Sequence, residues 1–116
     1  MFKRLAFFEG SITPGREAEF DAYVNERLVP LWTRFPGAVR VETLREVEAD
    51  DGSHSYPLVL ETTYCSRTAI EAALASKVRF ESREVTKGLL AMFEGRVFHV
   101  VYALHEHHAV EERQAG

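Results

Sequence analysis

The sequence predicts an α+β fold in which a four-stranded antiparallel sheet carries two helices on one face. Residues 20–35 carry apolar side chains at intervals of three or four, the period of a helix, and Pro36 with Gly37 ends this stretch. Residues 38–47 follow at once with the two-residue alternation of a strand. One strand precedes this pair, and a strand, a helix and a strand follow it. The resulting order, βαββαβ, is the ferredoxin-like plan.

Length, composition and charge limit the kind of protein. A chain of 116 residues with 46% hydrophobic and 28% charged residues has the balance of one globular domain. A net charge of −4 argues against nucleic acid or an anionic membrane as a partner, because both attract clustered Lys and Arg. No apolar run approaches the ~20 residues that span a bilayer, and the first residues do not resemble a signal peptide. We expect a cytoplasmic protein, and the single Cys65, which cannot form an internal disulfide, agrees with a reducing compartment.

The first strand and the first helix occupy the N-terminal third. Residues 5–12 are apolar at both alternating positions, which predicts a strand buried on both faces. Thr13 is the predicted N-cap of the helix, and Pro14 takes the first helical position, where its missing N–H is harmless. Pro30 lies inside the helical pattern, where a proline costs about 3 kcal/mol, so we expect a kink or a break at residues 26–29.

A hairpin connects the second strand to the third. Residues 49–55 are polar and include the Asp-Gly pair that favours hairpin turns. Residues 56–64 form the third strand, and Pro57 lies at its start, where a lost hydrogen-bond donor matters least.

The second helix and the fourth strand complete the predicted order. Ser66 caps the helix, which has a weak point at Ser76 and is expected to end at Gly95. Residues 96–104 are strongly apolar and form the fourth strand.

The strands carry apolar residues on both faces, whereas the two helices can cover only one. Three pairs of neighbours show this: Phe7 with Phe8, Leu58 with Val59, and Val100 with Val101. An uncovered apolar face of this kind normally marks an interface. We therefore expect a symmetric homodimer in which the two sheets pack against each other.

Four short motifs resemble a known family. They are Phe-Asp-Ala-Tyr at residues 20–23, Val-Pro-Leu at 29–31, Phe-Pro-Gly at 35–37, and the alanine-rich run at 69–76. Their order and spacing make residues 3–105 similar to the EthD-like branch of the dimeric α+β barrel superfamily. This branch is named for a protein linked to ethyl tert-butyl ether degradation.

The resemblance implies a kind of chemistry. Related barrels include antibiotic-biosynthesis monooxygenases, which oxidise aromatic polyketides without a cofactor, as well as lactone isomerases and haem-degrading enzymes. EthD-like proteins often carry a histidine two residues before the proline of the first helix. Leu28 occupies this position here, which argues against a proton transfer of the family type. In the haem-degrading barrels, a histidine on the second helix binds the haem. Residues 66–95, which are predicted to form this helix here, contain no histidine, so we expect no cofactor.

Polar residues inside the apolar strands are the candidates for catalysis, because an unpaired buried charge is costly. His99, in the middle of the fourth strand, has the intrinsic pKa of a general base for an acidic C–H or a phenol. The alternative is a histidine whose hydrogen bonds are satisfied within the sheet or a dimer seam. Glu61 is the second catalytic candidate, either orienting His99 or acting as a base. Alternatively, Glu61 pairs with a neighbour such as Arg40.

Four aromatic residues are candidates to line a ligand cavity, because each offers a ring face and a polar tip. They are Tyr23, Trp32, Tyr64 and Tyr102. Packing in the core or at the dimer interface is the alternative for each. Arg40 is a further candidate for binding substrate.

The C-terminal residues 106–116 are predicted to be a charged tail that follows a domain at residues 1–105. Its histidines and carboxylates resemble metal ligands: His105, Glu106, His107, His108, Glu111 and Glu112. A terminal segment offers neither a closed cavity nor supporting hydrogen bonds, so we predict no native metal site.

The sequence leaves two functions open. The first is a small cofactor-independent enzyme, an oxygenase or an isomerase, that acts on a hydrophobic or aromatic molecule held between the sheet and its helices. The second is a homodimer that binds a small molecule or is purely structural, without catalysis. An RNA-recognition module shares the element order, but residues 58–64 lack its aromatic and basic signature, so we set this reading aside.

Overall fold

The computed structural model describes residues 1–111, which form one antiparallel sheet with the helices packed on one face. The four strands are β1 Phe2–Ile12, β2 Ala38–Arg45, β3 Leu58–Tyr64 and β4 Phe93–Ala103. Their order across the sheet is β2-β3-β1-β4, and every neighbouring pair is antiparallel. This arrangement confirms the predicted ferredoxin-like plan. Within the described residues, no helix has both the length and the apolar composition needed to cross a bilayer.

The first helical region is interrupted before Pro30, as its sequence predicts. Helix α1, Glu17–Tyr23, continues through a π-helical turn, Val24–Leu28, into the short helix α2, Val29–Trp32. Pro30 has no N–H to return to the preceding turn, and the wider π-helical turn makes room for its ring. Pro30 therefore lies in the first turn of α2, where a backbone donor is not needed.

The first helix begins later than predicted, at Glu17, and Thr13 does not cap it. The N–H of Arg16 donates to the carbonyl of Thr13 at 3.0 Å and closes a turn that contains Pro14. Gly15 in this turn has a φ angle of +85°, a left-handed conformation that cannot continue into an α-helix. The helix can begin only after this glycine.

The second helical region consists of two helices instead of one. Helix α3, Arg67–Leu74, begins after Ser66, whose hydroxyl accepts a hydrogen bond from a backbone N–H of the first turn at 3.1 Å, as predicted. The predicted weak point at Ser76 is a full break, because Ser76 is extended and its hydroxyl caps helix α4, Lys77–Leu90. Gly95 does not end this helix but lies within β4.

The strand boundaries shift by a few residues from those predicted. β1 begins at Phe2 and β4 at Phe93, because these two strands pair along their whole length. β3 begins after Pro57, which has no N–H for the ladder, and not at Tyr56.

The apolar stripe of the first helical region forms the centre of the core. Its members are at most 9% exposed and are Phe20, Val24, Leu28, Leu31 and Phe35. The sheet meets them with alternate residues of its inner strands, Ala6 and Phe8 from β1 and Leu58 and Leu60 from β3.

The opposite face of the sheet is uncovered in the single chain. Leu5 and Phe7 of β1 lie on this face beside Val100 and Phe98 of β4. The rings of Phe7 and Phe98 stack with their centroids 5.1 Å apart. The uncovered face therefore presents the apolar surface for which the sequence predicts a partner.

β1 and β4 come close together at a pair of facing glycines. Gly10 and Gly95 are paired in register and have φ angles of +142° and +149°. A Cβ atom on Gly10 would collide with the carbonyl oxygen of Glu94, and one on Gly95 with that of Glu9. A side chain at either position would force the two strands apart.

We expect Gly10→Ala to lower the free energy of unfolding by more than about 2 kcal/mol, through backbone strain and the collision with β4. Gly52→Ala is the matched control, because a Cβ atom there meets nothing within 4 Å. Its effect should stay within about 0.5 kcal/mol. Urea denaturation followed by circular dichroism measures both, and equal effects would contradict the close approach of the strands.

Candidate functional site

A pocket of about 460 Å³ lies between the helix-facing side of the sheet and helix α4. Its floor comes from β1, β3 and β4. Its apolar lining consists of Ala6, Phe8, Trp32, Phe35, Leu60, Leu90 and Val97. The volume is within the range of sites for small organic molecules.

The strand register explains why the floor of the pocket is open. Ala6 lies on β1 between Leu60 of β3 and His99 of β4. Because its side chain is a single methyl group, it leaves space above the centre of the sheet. Trp32, at the end of α2, is 4% exposed and forms part of the wall.

The polar side of the pocket is basic. Arg79, Arg83 and Lys87 follow one another at intervals of four along α4, which places them on one side of the helix. Arg4 of β1 also lines the pocket. Glu84 is the one acidic lining residue in the described part of the chain, and Lys87 donates to its carboxylate at 3.0 Å.

Arg4 and Arg79 lack a carboxylate within ion-pair distance among residues 1–111. Partial burial lowers the pKa of Arg4, and the positive charge of Arg79 lowers it further, against an opposing effect of Tyr64. Burial in turn raises the pKa of Tyr64, and the charge of Arg4 opposes that rise. The two guanidinium groups therefore repel each other across the pocket.

His99 lies beside these cations on the edge strand β4. The pKa of His99 is lowered to about 4, first by burial, then by the positive charges of Arg4 and Arg79. The residue lines the pocket, although it is exposed as a whole. At neutral pH the imidazole is uncharged and can accept a proton.

Two of the predicted site residues, His99 and Trp32, lie in this pocket. Glu61 does not contact His99, because the two side chains lie on opposite faces of the sheet. In the register, Glu61 is paired with Leu5 of the uncovered face, whereas His99 is paired with Ala6. The expected pairing of Glu61 with Arg40 is replaced by an ion pair with Lys3 at 3.5 Å, because Lys3 lies on the neighbouring strand β1.

The other aromatic candidates lie outside the pocket lining. The hydroxyl of Tyr23 donates to the carbonyl of Val85 at 2.7 Å and so ties α1 to α4. Tyr64 is 1% exposed and belongs to the core. Tyr102 is 51% exposed and, paired with Lys3, lies on the uncovered face.

Arg40 borders a different hollow, on the uncovered face. This hollow is lined by Met1, Lys3, Val39, Arg40, Thr63, Leu104 and His107. The hydroxyl of Thr63 is buried there and has no hydrogen-bond partner in the described part of the chain.

The sequence reasoning missed the cations of the pocket. The sequence shows a basic residue at every fourth position, at Arg79, Arg83 and Lys87. This pattern could have identified a basic side of the helix that became α4. Arg4 shares the alternation of Ala6 and Phe8 in β1, so it was readable as an in-strand charge. Neither pattern predicts that Arg4 and α4 line the same pocket.

The described C-terminal residues, up to residue 111, and Cys65 lie outside the lining of this pocket. Up to residue 111, no three potential ligands come together to hold a metal ion, although His108 and Glu106 are 2.8 Å apart. Glu112 and the rest of the predicted tail, residues 112–116, lie outside the described residues. Cys65 is exposed after β3, because the chain leaves the sheet there.

No protein-family model matches the sequence, and no curated protein is similar to it in sequence. Several solved structures are nevertheless similar in fold. An EthD family protein from Bacillus halodurans superposes with a TM-score of 0.66 at 16% identity, over 89% of this chain and 98% of the other. An antibiotic biosynthesis monooxygenase gives a TM-score of 0.62 at 17% identity, over 91% of this chain and 100% of the other.

A third similar structure is a mutant of SnoaB from Streptomyces nogalater, described as a cofactor-independent oxygenase. It gives a TM-score of 0.62 at 20% identity, over 91% of this chain and 94% of the other. Together these likenesses show that the chain shares the fold of these three proteins, as the sequence motifs predicted.

We expect His99 to titrate at about pH 4 in the folded protein, well below the ordinary histidine value of about 6.5. An NMR pH titration of the imidazole signals measures this, and His99→Gln identifies the signal by its loss. Arg79→Gln should raise the midpoint, because it removes one of the charges that oppose protonation. Arg67→Gln, outside the pocket, should leave the midpoint unchanged. A wild-type midpoint near 6.5 would contradict the lowering of the pKa of His99 by burial and by the two arginines.

Proposed function

We propose that the protein is a small cofactor-independent enzyme, an oxygenase or an isomerase, that acts on a hydrophobic or aromatic molecule in the pocket under α4. The observation that carries the proposal is a pocket of about 460 Å³ with an apolar floor and an uncharged histidine on its wall. The fold, which the cofactor-independent oxygenase SnoaB shares, agrees with it.

His99 supplies the proton acceptor. A substrate with an acidic C–H that is conjugated with a carbonyl through an aromatic ring places that hydrogen toward the imidazole, which takes the proton and leaves an enolate. In an oxygenase, the enolate carbon forms a bond to dioxygen, the peroxide anion takes the proton from the imidazolium of His99, and the hydroperoxide loses water to leave a ketone. In an isomerase, the same proton returns to a different carbon. Trp32 and Phe35 hold the rings and keep the reacting carbon near His99.

Anthrone is a suitable test substrate, because its methylene group is acidic and lies between aromatic rings. Each anthrone that reacts with one dioxygen gives one anthraquinone and one water, so oxygen uptake and the absorbance of the quinone must agree. We expect His99→Gln to lower kcat by about 10²–10⁴-fold. Binding, measured by quenching of the emission of the single Trp32, should be retained.

His54→Gln is the matched control, because His54 lies in the hairpin connection away from this pocket. Equal turnover by wild type and His99→Gln would show that His99 takes no part in the reaction. Binding of anthrone without any turnover would favour the second candidate, a protein that binds a small molecule without catalysis. That candidate is supported by Leu28, fully buried at the position where EthD-like proteins often carry a histidine.

The uncovered face is the proposed interface of a homodimer. Burial of Leu5, Phe7, Phe98 and Val100 against a second sheet would remove this apolar surface from water. A partner would also give the buried hydroxyl of Thr63 the chance of a hydrogen bond. The cytoplasmic location and the absence of nucleic-acid and membrane partners belong to the same proposal, and the free thiol of Cys65 agrees with the location.

We expect the protein to sediment as a dimer at micromolar concentration. Val100→Glu should weaken the dimer at least about tenfold, because it places an unpaired carboxylate in the interface. Val47→Glu introduces the same group in the hairpin connection, where Val47 is 95% exposed, and should have no effect. A wild-type monomer in sedimentation velocity would rule out the interface.

A further inference from the structure

We propose that the ligand of the pocket is an aromatic molecule that carries an oxyanion, either a carboxylate or an ionised phenol, and that Arg4 and Arg79 bind this group. The inference rests on the proposed function of the pocket as a ligand site. It adds the charge of the ligand and the residues that select for it.

Arg4 is a cation in an unusual place. It lies on β1, an inner strand of the sheet, between Thr62 of β3 and Val101 of β4. Neither neighbour can neutralise it. A partly buried guanidinium without a counter-ion loses hydration and gains nothing in return, so the position is costly for the protein alone. An anionic ligand supplies the counter-ion that the described part of the protein does not provide.

Arg79 adds a second cation to the same pocket. Two guanidinium groups that repel each other are both stabilised by an anion placed between them. Their planar N–H groups match the two oxygens of a carboxylate, which favours an oxyanion over other negatively charged groups. Arg83 extends the positive potential along the rim, where Lys87 and Glu84, the acidic lining residue, neutralise each other.

The two hydroxyl groups of the pocket wall already donate to backbone carbonyls. The hydroxyl of Ser82 donates to the carbonyl of Arg79 at 2.9 Å. The hydroxyl of Thr86 donates to the carbonyl of Ser82 at 2.6 Å. Because each hydroxyl has used its single donor, neither is left to donate to a ligand oxygen, whereas the guanidinium donors of Arg4 and Arg79 are free of carboxylates within the described chain.

The pocket separates a charged end from an apolar end. Arg4, Ala6 and Phe8 follow one another on the helix-facing side of β1, about 7 Å apart along the strand. A ligand with its oxyanion at Arg4 therefore extends its rings over Ala6 toward Phe8 and the wall at Trp32. This arrangement fits a fused aromatic acid and does not fit a small inorganic anion, which would leave the apolar part empty.

A bound oxyanion also changes His99. It offsets the charges of Arg4 and Arg79, which lower the pKa of His99 in the free protein. The imidazole then becomes a stronger base once the ligand is in place. Arg4 and Arg79 thus bind the substrate and tune the proton acceptor together.

The test compares 2-anthracenecarboxylate with 2-anthracenecarboxamide, which has the same rings but no charge. Trp32 is the only tryptophan and lines the pocket, so energy transfer from it to the anthracene ring reports binding. At pH 7 we expect the acid to bind at least about tenfold more tightly than the amide. Arg4→Gln and Arg79→Gln should each weaken the acid about tenfold or more and leave the affinity for the amide unchanged.

Arg67→Gln is the matched control, because it removes the same charge from α3, outside the pocket, and should leave both affinities unchanged. If circular dichroism shows that Arg4→Gln does not fold, the test of oxyanion binding rests on Arg79→Gln, a substitution on α4. Equal affinities of acid and amide for the wild type would overturn this inference and leave the proposed site intact. Failure of both ligands to quench Trp32 would overturn the proposed site as well.

Discussion

The pairing of β1 with β4 is the constraint on which the site depends. The two strands run side by side from Phe2 to Ile12 and from Phe93 to Ala103. This length is possible because Gly10 faces Gly95, where side chains would hold the strands apart. The register that follows places Ala6 beside His99. A slip of one residue would move the imidazole to the other face of the sheet.

The helices complete the site by leaving part of the sheet open. The stripe from Phe20 to Phe35 covers the inner strands, and the π-helical turn before Pro30 carries the chain on into α2. Trp32 reaches the pocket wall from the end of that helix. Helix α4 then brings a basic side to the space above Ala6. The apolar floor and the charged wall therefore come from parts of the chain with separate structural roles.

The pocket is positively charged, whereas the protein as a whole has a negative net charge. The chain has a formal net charge of −4, yet the pocket lining contains Arg4, Arg79, Arg83 and Lys87 against a single carboxylate in the described residues. Such clustering costs stability in the free protein, since like charges repel and Arg4 is partly dehydrated. Uncompensated charge of this kind is more typical of binding sites than of structural ion pairs.

Much of the fold was determined by the sequence alone. The helical and strand periods predicted the order of elements and the buried stripe, and Pro30 predicted the interruption, because these properties depend on residues close together in the chain. Gly15 delayed the first helix and Ser76 divided the second helical region, and both departures follow from local backbone conformation that periodicity does not report.

The site was decided by the tertiary structure. The sequence identified His99 and Trp32 as candidates, but it also grouped His99 with Glu61, which lies on the opposite face, and Tyr64, which lies in the core. Strand register determines which in-strand residues share a face, and register is a relation between distant segments. The meeting of Arg4 with Arg79 has the same origin, because it depends on how α4 packs across the sheet and not on the sequence around either residue.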